Sequence, residues 1–282
     1  TVTVNGSGRA TVTSTGTVET LNVNATGALT LDASAAGASI KTINAAGSTA
    51  GVTLAGAYTA AETITTGNGA DTFTVGLTTA GKTATVNSGA GNDTITVANG
   101  AVKVNINAGA GDDNIIFNRA ITATDVVNGG EGKDTLTIGN TTIAAADLEI
   151  LKAAVSNVET LKFSAAVTGV DAAALNQFST FSFTTNGSVI TKVADTQTVI
   201  AGADVDVVAA GYKAATADAA GTYAGKLAVD AIGGTALDMV SVDAYADSIV
   251  LNVKATAATS SAGGVAAFAE LTGDVKSATV NL

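Results

Sequence analysis

The chain contains no cysteine, no proline, no histidine and no tryptophan among its 282 residues. Without cysteine no disulfide can form, so this protein would need another source of stability outside the cell. The absence of proline beside 32 glycines is typical of short strands joined by glycine turns, because every interior residue can then donate to a hydrogen-bond ladder. The sequence therefore favours β-structure, and a bound metal is a candidate stabiliser.

Residues that commonly carry catalysis are also scarce. The lack of histidine and cysteine excludes the familiar nucleophile–base pairs and imidazole metal sites, and only Arg9 and Arg119 supply guanidinium groups. Paired carboxylates could still hydrolyse a glycoside, but sugar stacking favours exposed aromatic residues, and the chain has only four Tyr and seven Phe. We therefore expect that the protein is not an enzyme, with a polysaccharide-active β-helix enzyme as the less favoured hypothesis.

Basic residues are few, since 13 Lys and Arg stand against 24 Asp and Glu, for a formal net charge of -11. This balance leaves no basic face for a phosphate backbone, so nucleic acid is excluded as a partner. The excess carboxylate indicates solubility, cation binding or both. Residues 1–30 contain no basic-then-apolar leader and no apolar run is long enough to span a bilayer, so we expect no transmembrane segment. We expect a mature protein exported by another route, or a piece of a longer chain.

A repeat of about 21 residues runs through the first half of the chain. Short β-type runs end at a marker position with successive spacings of 20, 21, 22, 20 and 21 residues, at Asn24, Asn44, Thr65, Asn87, Asn107 and Asn128. From Asn44 onward a second run begins eight residues after each marker, at Val52, Phe73, Ile95, Ile115 and Leu136. Two short strands per repeat predict the stacked coils of a parallel β-solenoid, in which the marker asparagines form a hydrogen-bonded ladder.

Four successive repeats share one turn between the two strands, with the pattern G-x-G-x-D-x-U-x, where U is apolar. This pattern is a calcium-binding repeat of β-helices. Glycine lets the chain turn sharply and directs carbonyl oxygens into the turn, and Asp adds charge, which together suit the about six to eight oxygen ligands of Ca²⁺. The candidate calcium-binding residues are Gly67, Gly69, Asp71, Gly89, Gly91, Asp93, Gly109, Gly111, Asp112, Asp113, Gly130, Gly132 and Asp134.

Stacking of the coils would align the Asp residues of these turns in a column. With coils ~4.8 Å apart, two neighbouring carboxylates repel by roughly 3.5 kcal/mol at an effective dielectric of about 20. A divalent cation between the turns would remove this repulsion, and raised carboxylate pKa values are the alternative. Glycine and Asp are also ordinary turn formers, but four copies in register favour calcium. Thr66, Ser88 and Ala108 depart from the pattern at its first glycine position.

These turns resemble those of the repeats-in-toxin (RTX) proteins of Gram-negative bacteria. The stretches 18–21 (VETL), 127–136 (VNGGEGKDTL) and 156–161 (SNVETL) are similar to the Caulobacter-type surface-layer branch of that family. The resemblance implies calcium-dependent folding, type I secretion, an extracellular location at the cell surface and self-association into a lattice. Cell-surface polysaccharide is a further candidate partner, and a calcium-stiffened adhesin is the alternative function.

The period is lost after Asn140. We expect residues 1–140 to form the regular solenoid and residues 141–282 to form an irregular continuation of it, with a separate β-sandwich as the alternative. Residues 142–156 are expected to form a short helix, and Asp171 to cap another over 172–178. Asn186-Gly187 is typical of a hairpin turn.

Overall fold

The computed structural model describes residues 1–13, 17–185, 188–193 and 196–201, and then the segments 207–213, 216–217, 223–224, 226–233, 240–255, 269–272 and 275–281. The chain divides into two compact units. The first comprises Thr1–Ile138 and Ala153–Val158, and the second comprises Gly139–Lys152 and Glu159–Leu282. Parallel β-strands dominate both units, and the fold is the predicted β-solenoid.

Thirteen strands belong to the first unit. They are β1 (Val2–Thr11), β2 (Thr20–Asp32), β3 (Thr42–Asn44), β4 (Val52–Tyr58), β5 (Thr63–Thr65), β6 (Thr72–Val75), β7 (Thr83–Asn87), β8 (Thr94–Val97), β9 (Lys103–Ala110), β10 (Asn114–Phe117), β11 (Val126–Glu131), β12 (Thr135–Ile138) and β13 (Val155–Ser156). A 3-10 turn lies at Ser34–Ala36. From β3 onward the odd-numbered strands pair successively in parallel, and so do the even-numbered strands from β4 to β12. Each coil thus has one strand in each stack, as the repeat predicts.

Alternation of side chains builds the core of these coils. In β7 and β8 every second residue is buried, and the buried ones are small or β-branched, such as Val86 and Ile95. Such side chains suit a pleated, half-buried surface and fill the narrow space between two stacks of strands. The apolar residues of the four glycine turns form one row, in the register Phe73, Ile95, Ile115 and Leu136, and none is more than 2% exposed.

The predicted register of the markers is confirmed from Asn44 to Asn128, each pairing with the next. The predicted pairing of Asn24 with Asn44 was wrong, because Asn22 pairs with Asn44 while Asn24 pairs with Asn5. The physical reason is that β2 runs continuously through both stacks without a glycine-Asp turn. The amide ladder is confirmed between one pair of markers, since Asn128 Nδ2 donates to Asn107 Oδ1 at 2.9 Å. Asn24 Nδ2 makes a similar bond to Oδ1 of Asn5, which is not a marker, at 2.8 Å.

The second run beginning at Val52 also has a different register from the prediction. Thr53 pairs with Thr72, so Val52 lies opposite Asp71 instead of opposite Phe73. The pairing of β4 with β6 then shifts between Thr53 and Ala57, where β4 carries an irregularity. The eight-residue spacing is therefore a consistent guide to register only in the four glycine-Asp coils.

The remaining strands belong to the second unit. They are β14 (Thr160–Phe163), β15 (Val170–Asp171), β16 (Thr180–Phe183), β17 (Ser188–Thr191), β18 (Thr198–Ala201), β19 (Val207–Lys213), β20 (Thr216–Ala217), β21 (Tyr223–Ala224), β22 (Lys226–Gly233), β23 (Val240–Ala255), β24 (Ala269–Thr272) and β25 (Val275–Asn281). The pairing of β14, β16, β18 and β22 is parallel, as is that of β15, β17, β19 and β23, whereas β20 and β21 are antiparallel. Aromatic rings enter this core, where Phe163 stacks on Phe183 with centroids 5.1 Å apart.

Helix is a minor component of the described part of the chain. The helix predicted over 142–156 is α1 (Ala145–Ala154), and residues 155–156 are the strand β13. The helix predicted over 172–178 was wrong. Asp171 Oδ1 does accept the Ala174 N–H at 3.2 Å, but Leu175 N–H then donates to Ala172 O, so the segment forms turns instead of a helix. Asn186-Gly187 lies outside the described residues, and β16 and β17, which flank it, pair in parallel with neighbouring coils.

Candidate metal centre

The four Asp residues of the glycine turns form a buried column in the first unit. Asp71, Asp93, Asp113 and Asp134 each stand one residue before a strand of the even-numbered stack, and none is more than 2% exposed. Because side chains alternate along a strand, each Asp points to the same side as the buried apolar residue two positions later. The predicted alignment of these carboxylates is confirmed by the register of β6, β8, β10 and β12.

Stacked glycine turns hold the column in register. Seven of the eight predicted glycines, all except Gly67, have a positive φ. At Gly91 φ is 124°, and a Cβ would lie 2.5 Å from the carbonyl oxygen of Gly69 in the preceding coil, so a side chain there would collide with backbone. Main-chain bonds join the turns, as between Ala90 N–H and Gly67 O at 2.9 Å.

One oxygen of each carboxylate is bound by the backbone of the preceding coil. The N–H groups of Val52, Asp71, Asp93 and Asp113 donate to Oδ1 of Asp71, Asp93, Asp113 and Asp134, at 2.6, 2.8, 2.8 and 2.9 Å respectively. These bonds make each Asp a link between coils. The sequence predicted the column but not this ladder, although the recurrence of Asp directly before each strand was a signal for it.

The second carboxylate oxygen has no such partner in three of the turns. Oδ2 of Asp71, Asp93 and Asp113 is buried, and no donor in the described part of the chain meets it with hydrogen-bond geometry. Nearby groups lower two of the pKa values in part, since the Thr66 hydroxyl and the Gly67 N–H act on Asp71 and the Ser88 hydroxyl acts on Asp93. The same hydroxyls lie 2.7 Å from Ser88 O and 2.5 Å from Ala108 O, to which they donate. A buried acceptor without a donor costs about 1–3 kcal/mol, so these oxygens require an explanation.

Burial is the main cause of raised pKa values in the column. It raises the pKa of Asp71, and it raises the pKa of Asp93 to about 7 and that of Asp113 to about 6. Hydrogen bonds from the backbone lower these pKa values in part, while the neighbouring carboxylates raise the pKa of Asp93 and Asp113 further. Either protons or an added cation must therefore relieve the buried negative charge near neutral pH.

The oxygens available in the column fit Ca²⁺. The ligand atoms are hard oxygens, and the carboxylates of Asp71, Asp93 and Asp113 each have one oxygen with no hydrogen-bond donor in the part of the chain that the structure describes. Within the described residues no group of three acidic side chains converges on one point. A cation would therefore take one carboxylate from each of two adjacent turns and complete its shell with main-chain carbonyls, whose second lone pairs remain available for coordination.

Asp112, also a predicted calcium-binding residue, lies on the exposed side of its turn. Its N–H donates to Asn92 Oδ1 at 3.0 Å, and its own Oδ1 accepts the Lys133 N–H at 2.9 Å. Asn92 and Asp112 thus form a second ladder, separate from the buried column. Polar residues directly before Asp93, Asp113 and Asp134 were the sequence signal for it.

A second kind of buried carboxylate was missed by the sequence reasoning. The side chain of Asp125 is fully buried and forms a two-pronged ion pair with Arg119, at 2.7 Å from Nη1 to Oδ2 and 2.8 Å from Nη2 to Oδ1. Val104 N–H and both the N–H and hydroxyl of Thr122 also donate to it. Burial raises the pKa of Asp125, but these bonds outweigh burial, so the pKa lies below its usual value. This carboxylate needs no cation from solution.

No protein-family model matches the chain, and no curated protein or solved structure is significantly similar to it. Among the described residues, no helix has the length and apolar character needed to cross a membrane. The chemistry of the buried column is therefore the main guide to function.

Proposed function

We propose that this chain is a secreted, calcium-stabilised structural component of a bacterial surface layer. The observation that carries the proposal is the buried column, in which Asp71, Asp93 and Asp113 each have an oxygen that meets no donor among the described residues. Bound Ca²⁺ would supply the positive charge that the described surroundings of these oxygens lack. The resemblance of the turns to those of RTX surface-layer proteins gives this chemistry a biological setting.

The role of calcium in this proposal is structural. The column is buried beneath its own turns, with Asp93 only 1% exposed, so a substrate has no access to a cation held there. A cation shared by two turns joins coils that are distant in sequence and couples metal binding to folding. Extracellular calcium modules bind in the range of about 10⁻⁴ to 10⁻³ M, so such a solenoid would fold on reaching a calcium-rich exterior.

A parallel β-solenoid suits a structural role because each coil contacts only its neighbours and the outer faces of both stacks stay available. In the described part of the chain, Val126 on β11 is an exposed large hydrophobic residue, at 46%. The markers Asn44, Asn87 and Asn107 are also exposed and lie in one row of the odd-numbered stack. These faces offer hydrogen-bonding and apolar groups for packing against further copies.

The test is a calcium titration of the chelator-stripped chain, followed by circular dichroism and by sedimentation velocity. We expect a gain of β-structure and the formation of large ordered assemblies at millimolar calcium. Magnesium at the same concentration is the control, because it demands near-ideal octahedral geometry and dehydrates reluctantly. A gain of structure in a chain that stays monomeric would contradict the surface-layer role and favour an adhesin. No response to calcium would overturn the proposal.

A further inference from the structure

We propose that the main-chain carbonyl of Asn157 closes the last cation position of the column, as a ligand from outside the glycine-rich repeats. The inference rests on the proposed calcium binding. It concerns the end of the column, where Asp134 belongs to the last of the four glycine-Asp turns. In the first unit the next strand of the odd-numbered stack is β13, which does not lead into another glycine-Asp turn.

Strand pairing brings Asn157 to this end. Val155 and Ser156 of β13 pair with Val127 and Asn128 of β11, so the register carries Asn157 to a position opposite Gly129. Gly129 occupies the first glycine position of the fourth turn, which earlier turns fill with Thr66, Ser88 and Ala108. Asn157 therefore lies where a further glycine turn would otherwise follow.

The backbone of Asn157 has an unusual conformation. Its φ is 49°, and only one other non-glycine residue in the described part of the chain, Lys192, has a positive φ. This conformation is uncommon for a residue with a side chain, although Asn tolerates it better than most, and such residues cluster at functional sites. The Asn157 side chain is anchored, because Nδ2 donates to Asn128 Oδ1 at 2.7 Å.

Two oxygens converge beside Gly129 as a result. A Cβ on Gly129 would lie 1.9 Å from the carbonyl oxygen of Asn157 and 2.4 Å from Oδ2 of Asp134. The sum of these distances limits the separation of the two oxygens to at most 4.3 Å. Two oxygens that bind one Ca²⁺ at ~2.3–2.6 Å can be up to about 5 Å apart, so both can reach the same ion.

This arrangement also explains why the fourth turn alone begins with two glycines, Gly129 and Gly130. A side chain at position 129 would collide with the Asn157 carbonyl and with the Asp134 carboxylate. At the same position of earlier turns, Thr66 and Ser88 have side chains whose hydroxyls donate to the carbonyls of Ser88 and Ala108. The lack of a side chain at Gly129 thus lets both oxygens lie close to this position.

The experiment measures calcium stoichiometry and affinity by isothermal titration calorimetry on the full chain and on three variants. Asn157→Gly keeps the positive φ, Asn157→Ala disfavours it and Asn157→Val disfavours it most, while all three lose the bond to Asn128. We expect Asn157→Gly to bind like the parent chain. Asn157→Val should lose one ion or bind its weakest ion at least about tenfold less tightly, as when the support of a ligand is removed, with Asn157→Ala between them.

Circular dichroism at saturating calcium identifies any variant that fails to fold, and Asn157→Ala then replaces Asn157→Val in the comparison. Equal binding by Asn157→Gly and the better-folded of the other variants would overturn the role of the carbonyl. That result would leave the proposed function intact if the parent chain still binds calcium and assembles. A parent chain that binds no calcium would overturn both.

Discussion

Asp93 and Asp125 are buried to the same degree in the same solenoid, yet their carboxyl groups have opposite properties. Asp93 is 1% exposed and burial raises its pKa to about 7, whereas Asp125 is 2% exposed and its pKa is lowered. The difference lies in the partners. Arg119 gives Asp125 a positive charge, while the charged neighbours of Asp93 are the carboxylates Asp71 and Asp113.

This comparison teaches that burial alone does not define a metal site. A buried carboxylate that already has a guanidinium and three further donors is complete, and its place in the fold is structural. In the column, Asp71, Asp93 and Asp113 each keep one buried oxygen that meets no donor in the described part of the chain, so the charge of these carboxylates is incompletely compensated. The two sites should therefore respond differently to mutation, pH and calcium.

The largest expected loss of stability comes from breaking the ion pair between Arg119 and Asp125. Arg119→Met keeps much of the side-chain volume but leaves the Asp125 charge buried without its partner, so we expect a loss of about 3–5 kcal/mol of unfolding free energy. The loss should be the same with calcium and with chelator, since the pair needs no metal. Urea unfolding in both conditions measures it, and a loss confined to one condition would contradict the separation of the two sites.

The next largest effect is expected from a change in pH, which should alter the stability that the column gives to the calcium-free protein. The folded pKa of Asp93, about 7, lies above its ordinary value of 3.8, so the calcium-free folded state binds more protons than the unfolded state between these values. The contribution of Asp93 to the unfolding free energy is complete below pH ~3.8 and is lost as the pH rises through ~7. The expected loss is about 2 kcal/mol between pH 5 and pH 7. Asp125 has the opposite sign, because its lowered pKa makes its contribution disappear only when the pH falls through that pKa.

Urea unfolding of metal-stripped protein from pH 5 to pH 8 measures this dependence. The matched control is Asp93→Asn, which removes one titrating group and should make the profile less steep, with Asp113 and Asp71 causing the dependence that remains. A calcium-free stability that rises from pH 5 to pH 7 would refute the raised pKa values of the column.

A smaller effect is expected from removing two carboxylates of the column. In Asp93→Asn/Asp113→Asn the amide oxygen can still accept the backbone N–H, so the ladder of bonds remains. Calcium stabilisation should disappear, a loss of about 1.4 kcal/mol per ion at a calcium concentration tenfold above Kd. Stability in chelator at pH 7 should not decrease, because repelling charges are removed. Thermal unfolding with and without calcium checks both statements.

The smallest effect is expected at the exposed ion pair between Lys82 and Glu62, whose charged atoms are 3.2 Å apart. Lys82→Met should change the unfolding free energy by less than about 1 kcal/mol, and the change should vanish in high salt. Urea unfolding at two salt concentrations measures it. A loss of unfolding free energy as large as that of Arg119→Met would show that ion pairing alone, without burial or further hydrogen bonds, accounts for the effect at Asp125.

Much of the first unit could be predicted because its information is local and repeated. The period of about 21 residues predicted two strands per coil, and the glycine-Asp turns predicted the aligned carboxylates from Asp71 to Asp134. The register of Asn24 was not predictable from that period, since β2 lacks the turn that fixes the spacing elsewhere. The segment 172–178 had a helical pattern and a capping Asp171, but its main-chain bonds join residues three apart, Leu175 N–H to Ala172 O and Phe178 N–H to Leu175 O, so it forms successive turns.

The sequence by itself determined the parallel β-solenoid, the position of the four Asp residues and the scarcity of catalytic side chains, because each depends on composition or on a short repeating pattern. Only the tertiary structure decided which oxygen of Asp71, Asp93 and Asp113 accepts a backbone N–H and which meets no donor among the described residues, and that Asp125 has Arg119 as its partner. It also brought the Asn157 carbonyl beside Asp134. The carboxylate bonds and the place of Asn157 depend on contacts between coils about 20 or more residues apart, and the exact register of those coils is set by packing that no local pattern records. Arg119 and Asp125 are close in sequence, but nothing in the repeat indicates that they pair.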